Sequence, residues 1–433
     1  MNYYSLNKKS PTVNFKEATI KGLAPDKGLY FPEQVPLIGV NWLKNIESIP
    51  NEEIAFQVIR PYVGNTISEE DLLTIVSETV NFPIPLISVT DNIYSLELFH
   101  GPTLAFKDIG ARFMSRCLSK FVTQQDKKVT VLVATSGDTG GAVANGFYNM
   151  PGIDVVILYP SGKVSSVQEK QLTTLGGNIH ALEVDGSFDD CQQLVKQAFA
   201  DKELNQKLFL TSANSINVAR WLPQQFYYFF AYKQWKNKDM PPVISVPSGN
   251  FGNICAGILA HLSGLPVKHF IAACNANDTV PRYLQTSQFL PHPAIATLSN
   301  AMDVADPSNF VRILEIFHHQ FADLTNKLSG CSITDLETVN AIKEIVEKEH
   351  YLADPHGAVA YLALQRYLQK HSGTQGIFLE TAHPVKFPEA IELATQQQVP
   401  VPESLAPLLL KDKISTRLSF DYPDFIDFLY KIN

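Results

Sequence analysis

The stretch Val129-Thr130-Val131-Leu132-Val133-Ala134-Thr135-Ser136-Gly137-Asp138-Thr139-Gly140-Gly141 changes character at Thr135. Before it stands a run rich in branched apolar side chains, and after it come hydroxyls, a carboxylate and glycines. Branched residues suit a pleated strand, glycine permits a sharp turn, and residues 141–148 continue with a helical pattern. The same order recurs outward. Residues 155–159 read as a strand before a helix over 165–175, and 179–184 as a strand before a helix over 188–199. A second series has strand 243–246, helix 254–262 and strand 269–273, then Thr334-Asp335-Leu336-Glu337 as a capping box and Asp354-Pro355 as a helix start. Strands alternating with helices indicate β-α-β units. The expected fold class is therefore α/β, with two lobes of twisted, largely parallel sheet covered by helices on both faces.

An N-terminal region, residues 1–82, precedes these lobes and holds a tight turn at Pro25-Asp26-Lys27-Gly28 and helical patterns over 52–58 and 69–76. It ends at Asn81-Phe82-Pro83-Ile84-Pro85, where the prolines favour extended chain. The catalytic region then spans 83–433, with lobes expected at roughly 83–240 and 241–433. A chain of 433 residues exceeds the roughly 250–300 at which single cores stop growing, so more than one core is expected. In such folds a ligand site lies in the cleft between lobes, at strand C-terminal ends.

A net charge of -8 argues against a general electrostatic surface for nucleic acid or anionic membrane, so any anionic ligand must meet a few local cations. Cys117, Cys191, Cys255, Cys274 and Cys331 form no C-x-x-C pair, which suggests neither zinc site nor redox dithiol. No metal is expected, and a reducing compartment fits. The N-terminus lacks a signal-peptide pattern and no apolar run reaches the roughly 18 residues of a membrane span, so the protein is expected to be cytoplasmic. His318 and His319 are adjacent on a helical pattern and read as surface or packing residues.

Chemistry concentrates in loops that follow strand-like runs. Phe99-His100-Gly101-Pro102-Thr103-Leu104-Ala105-Phe106-Lys107-Asp108 places a lysine after a turn and an apolar run, just before a helix. Desolvated there, an amine loses its proton more readily and can attack a carbonyl; the bland reading is a surface lysine. Ser248-Gly249-Asn250-Phe251-Gly252-Asn253 offers close backbone approach and a helix N-terminus, a phosphate cradle without formal charge. Its bland reading is a glycine-rich turn with no ligand. A dinucleotide site is disfavoured, because neither loop matches G-x-G-x-x-G and the strand over 155–159 ends in Tyr159-Pro160 where a ribose-binding acid is wanted. Thr135 to Gly141 suits a carboxylate or small anion, or is simply a capped helix start. Asn214, Ser215 and Arg220 share one polar segment, where arginine can grip a phosphate bidentately or lie solvated on a helix. Glu380-Thr381-Ala382-His383-Pro384-Val385-Lys386-Phe387 follows a further strand-like run.

Together these residues resemble the threonine synthase family, pyridoxal-phosphate enzymes of the tryptophan-synthase β-like fold (fold type II), in its compact bacterial and fungal branch. Gly22-Leu23-Ala24-Pro25-Asp26 and Thr381-Ala382-His383-Pro384 carry the likeness to that branch. The resemblance implies pyridoxal 5'-phosphate as cofactor, with Lys107 binding it covalently and acting as the catalytic group. It further implies that Gly249, Asn250, Phe251, Gly252 and Asn253 hold the cofactor phosphate and that Thr381 meets the pyridine nitrogen. Many relatives of the fold type have an asparagine beside the ring where this chain has Asp138. Ser136, Gly137, Asp138 and Thr139 would receive the substrate carboxylate; Asn214, Ser215 and Arg220, with Thr139, would bind the substrate phosphate. The implied reaction is that of a carbon–oxygen lyase acting on phosphates. It eliminates phosphate from O-phospho-L-homoserine and adds water at Cβ to give L-threonine, the final step of threonine biosynthesis. A phospho-lyase ending in 2-oxobutyrate and a non-catalytic ligand-binding relative are the alternatives, and the intact Lys107 argues against the latter. The implied partner is this small-molecule substrate, with no nucleic acid or membrane, in a monomer or weak homo-oligomer.

Overall fold

The apolar runs become the strands Val129–Ala134 and Val243–Pro247, buried at every residue. A strand buried on both faces needs helices above and below, which the crossovers of a parallel sheet supply. The structure, a computed structural model, describes residues 1–123 and 128–432, and among them two such sheets form. The first runs in the order Thr416–Leu418, Ile179–Val184, Ile153–Pro160, Val129–Ala134, Phe209–Ser212, all parallel. The second runs Leu328–Ser332, His269–Cys274, Val243–Pro247, Gly376–Glu380, Ile93–Glu97 in parallel, edged by Leu86–Ser88 antiparallel.

The two lobes interchange strands. Ile93–Glu97 lies within 83–240 yet pairs with Gly376–Glu380 in the second sheet, and Thr416–Leu418 returns to the edge of the first. As a result the chain leaves the second sheet at Glu97 and runs through the lysine loop to the helix over 107–122, which packs on the helix over 138–147 that follows a strand of the first.

The N-terminal region adds a small antiparallel sheet of Val13–Asn14, Asn2–Ser5 and Tyr30–Pro32, with the helices Asn51–Val63 and Glu69–Thr79. Its turn forms as read: Lys27 N donates to Ala24 O at 2.8 Å, and Asp26 accepts from Ser5 Oγ at 2.6 Å. Tyr3 is buried and its hydroxyl donates to Tyr62 O at 2.8 Å, tying sheet to helix. The aromatic helix Gln225–Gln234 is buried from Gln225 to Tyr232 and packs between Asn51–Val63 and Gly252–Leu262, which joins this region to the catalytic core.

Two expectations change in detail. The helix read from 141 starts earlier, as Asp138–Phe147, because Gly140 allows close packing: a Cβ there would lie 2.4 Å from Leu172 Cδ2 and 2.5 Å from Thr135 Cγ2. His318 and His319 are not helical but left-handed, at φ 50° and 57°, between the helices Phe310–Ile316 and Phe321–Lys327. There the chain reverses, and His319 Nε2 comes 3.4 Å from Glu315 Oε2. Among the described residues no helix is long and apolar enough to cross a membrane.

Candidate active site

Five loops meet at the C-terminal ends of the parallel strands, where such sheets leave a crevice. They follow Glu97, Ala134, Ser212, Pro247 and Glu380. In the first, Leu104 is held left-handed at φ 58°, a conformation costly for a branched side chain and retained only where its surroundings enforce it. Here they do. Leu104 N donates to Gly101 O at 3.0 Å, and His383 N donates to Leu104 O at 3.0 Å. Phe106 N donates to Thr381 O at 2.8 Å, and Ala105 bridges Ala382, so the lysine loop is stitched antiparallel to the loop after Glu380. Asp108 accepts from Thr103 N at 2.9 Å and from Thr103 Oγ1 at 2.5 Å, and Tyr227 donates its hydroxyl to Phe106 O.

Lys107 opens the helix Lys107–Val122, surrounded by protein yet keeping accessible surface. Among the described residues its amine makes no hydrogen bond or ion pair; it lies 5.7 Å from the centre of the Phe106 ring. Burial pushes the amine down to about 8, opposed by Asp138 and reinforced by Lys386 and Arg220.

The glycine-asparagine loop forms as expected. Phe251 is left-handed at φ 62°, and the helix Gly252–Leu262 begins without a side-chain cap, leaving its first N–H groups open to an anion. A Cβ on Gly249 would lie 2.6 Å from Met302 Cα, so the backbone passes Met302 only because Gly249 lacks one. Asn250 accepts from Ser308 N at 2.7 Å and donates to Ser215 Oγ at 2.8 Å. Asn253 Oδ1 accepts from Tyr228 Oη at 2.8 Å, while its buried Nδ2 has no partner among the described residues.

Ser215 Oγ accepts from both Asn250 and Asn309, the latter at 3.1 Å, which leaves its own proton free to donate elsewhere. Asn214 Nδ2 donates to Ala134 O at 3.3 Å. Arg220 is buried, its Nη1 donates to Ala213 O at 2.8 Å and its Nε has no partner among the described residues. Among the described residues no carboxylate pairs with it, so the guanidinium remains available to an anion.

After Ala134, Thr135 Oγ1 accepts from Gly137 N at 3.0 Å and Gly140 N at 2.9 Å, which folds the loop onto itself. Gly137 has φ 142°, and a Cβ there would meet Gln168 Cδ at 2.4 Å. Ser136 and Thr139 are half-buried, and among the described residues their hydroxyls are unpartnered. Asp138 is buried. Desolvation acts to raise its carboxyl, but Lys386 and Lys107 outweigh it and hold it well below the usual carboxylate range.

Thr381 is buried and its hydroxyl unpartnered among the described residues. In the residue before it, burial pushes the Glu380 carboxyl well above its usual range, and Asp354 adds to this. Asp354 accepts from Ala382 N at 3.3 Å and meets His356 Nδ1 at 2.5 Å. His356 Nε2 accepts from Ala301 N at 3.2 Å, so Nδ1 carries the proton given to Asp354. The relay links the Thr381 end to the Met302 segment under Gly249.

Every residue singled out in sequence thus lies on one of these five loops or at the start of the helix it feeds. Lys386, Arg312 and the Asp354–His356 pair were not singled out. Arg312 donates to Tyr30 O at 3.1 Å and Ile216 O at 2.6 Å, with its guanidinium 4.7 Å from the Trp221 ring centre, so it ties the N-terminal region to the Ser215 loop. The signal for Lys386 was a lone cation within His383-Pro384-Val385-Lys386-Phe387.

Comparison with known proteins bears on the whole chain. Residues 2–80 match the family described as threonine synthase N terminus, 82–379 that of pyridoxal-phosphate dependent enzymes, and 357–425 that of threonine synthase, C-terminal. Threonine synthase of Haemophilus influenzae is 48% identical over 406 residues, 94% of each chain, and that of Escherichia coli 45% over 407, again 94% of each. Among solved structures, Escherichia coli threonine synthase superposes with a TM-score of 0.93 at 43% identity, covering 100% of both chains. The PLP-bound threonine synthase from Brucella melitensis gives 0.93 at 34% identity, covering 100% of this chain and 99% of its own.

Proposed function

The chain belongs to the threonine synthase family, and on that premise we propose how its own residues carry the reaction. The protein is a pyridoxal-phosphate-dependent lyase that takes phosphohomoserine to L-threonine and phosphate. The residues present suit that cofactor: an unpaired, half-buried lysine amine, an uncapped helix start behind a glycine that admits no Cβ, and an orphaned Asn253 amide. When bound, pyridoxal phosphate supplies an electron sink for charge at the substrate's α-carbon.

Lys107 holds the cofactor covalently, and its Nζ, once freed, takes and returns the protons of the substrate carbons. Gly249 to Asn253 hold the cofactor phosphate through backbone N–H groups and the helix start. Thr381 would offer its hydroxyl to the ring nitrogen, and a hydroxyl can donate to a neutral nitrogen without fixing a proton there as a carboxylate would. Ser136, Gly137 and Thr139 receive the substrate carboxylate, with Asp138 beside the ring. Arg220, Ser215 and Asn214 bind the substrate phosphate and stabilise the charge that gathers on it as it leaves. Water then adds at Cβ to complete the conversion.

The organisation into residues 1–82 and a catalytic region 83–433, cytoplasmic location, and a monomer or weak homo-oligomer are part of the proposal. Its supports are the family boundary between 80 and 82 and five free cysteines, four of them buried.

The observation that carries the reading is Lys107, unpaired and stitched beside Thr381 through the Phe106–Thr381 bond of 2.8 Å. The test is borohydride reduction of the purified protein followed by peptide mass analysis. Cofactor mass is expected on the peptide containing Lys107 and no fixed cofactor in Lys107→Ala. Fixation to a different lysine in the unaltered protein would overturn the assignment.

A further inference from the structure

Lys386 is fully buried and takes no part in the reaction as derived above. Its ammonium donates to Asp138 Oδ1 at 2.7 Å and to Thr103 O at 2.9 Å. Asp138 Oδ1 also accepts from Gln168 Nε2 at 2.9 Å, and Thr103 is pinned to Asp108 on the loop that leads to Lys107. A buried ion pair of this kind is weak grounds for stability, since desolvating two charges offsets much of their attraction.

Its placement gives it another use. The charged groups around Lys107 are Asp138, Lys386 and Arg220, a single anion against two cations. Those around Lys386 are Asp138, Asp108 and His383. Asp138 thus has two lysines in its field, and of the two it bonds only Lys386. Removing Lys386 would leave a buried carboxylate whose remaining lysine neighbour is Lys107, and an unpaired buried charge is far costlier than a paired one.

We propose that Lys386 is a positioning residue for Lys107: by engaging Asp138 it keeps that carboxylate from pairing with Lys107 and locking it as an ammonium ion. This rests on the reading of Lys107 as the reactive amine. Lys386 touches neither substrate nor cofactor in this role; beyond its own repulsion of Lys107, it acts through Asp138 on the charge state of Lys107.

The experiment uses the full-length chain freed of cofactor, with reductive methylation of Lys107 followed against pH by peptide mass. The unaltered chain should show a midpoint near pH 8, where burial has brought the amine. In Lys386→Met the midpoint should rise by about one pH unit or more, the effect of an opposite charge left free to pair. Lys386→Arg should keep the original midpoint, and Lys386→Met combined with Asp138→Asn should bring it back to that value or below. Should Lys386→Met fail to fold, Lys386→Gln is read in its place with the same rise expected, and Asp138→Asn checks the anion itself by lowering the midpoint. An unmoved midpoint in Lys386→Met or in Asp138→Asn, or a double variant that stays high, overturns the inference. Borohydride fixation on Lys107 in the unaltered holoenzyme separates the failures: with fixation intact only this inference falls, and without it the reading of the site falls as well.

Discussion

Arg220 is where a single side chain exposes most of the substrate assignment. Its guanidinium is buried, bonded to one carbonyl, and short of a partner at Nε. Arg220→Lys keeps the charge but loses the planar fork that meets a phosphate on two sides. Loss of one preorganised donor costs about 2.7 kcal/mol or more, so kcat/KM for phosphohomoserine should fall roughly a hundredfold. Cofactor content, read from absorbance per chain, should stay as it was. Unaltered kcat/KM would mean that the substrate phosphate binds elsewhere. Lys107 and Arg220 were legible in sequence because Lys107 is the lone lysine of its loop and Arg220 the only basic residue between Thr211 and Tyr232, each in a segment after a strand-like run. Lys386 was not, although its segment was read, because its meaning lies in Asp138, far away in sequence and joined to it only by the fold.

Among elements, the strand–loop–helix units carry the site, and their punctuation was legible where it is local. The capping box at Thr334 and the Asp354 cap are present as read, and the structure adds a box at Ser165. Helix ends set by tertiary packing were not. The helix Asn51–Val63 runs beyond 58 and through Pro61, because Ile54, Val58, Ile59, Tyr62 and Val63 all find buried places against the core. The earlier start of Asp138–Phe147 has the same origin in the fit of Gly140 against Leu172. The cradle gives the test for this scale. In Gly249→Ala the new methyl would lie 2.6 Å from Met302 Cα, a backbone atom that cannot swing away, so the loop itself must shift. Affinity for pyridoxal phosphate, measured by dialysis, should weaken about tenfold or more, equivalent to about 1.4 kcal/mol. Retained affinity would show that the cofactor phosphate does not rest on this loop.

At the scale of the molecule, the sheets exchange strands so that five loops from distant parts of the chain reach one cleft. The alternation of strand and helix made the fold class legible, but not this exchange, since a parallel strand's apolar run looks the same whichever sheet receives it. The N-terminal region also proves to be a brace: Asn217 Nδ2 donates to Thr19 O at 2.8 Å and Arg312 to Tyr30 O at 3.1 Å, both behind the segment that bears Ser215 and Arg220. Phosphate departure alone does not define the reaction, because a phospho-lyase would share the lysine, the cradle and the phosphate site. The decisive step is addition of water at Cβ before the substrate's carbon skeleton is released. The most direct measurement is therefore a product assay on the unaltered holoenzyme with O-phospho-L-homoserine, following phosphate, L-threonine and 2-oxobutyrate together. Phosphate and L-threonine should appear in nearly equal amounts with 2-oxobutyrate a minor product; predominant 2-oxobutyrate, or no phosphate release, would contradict the account.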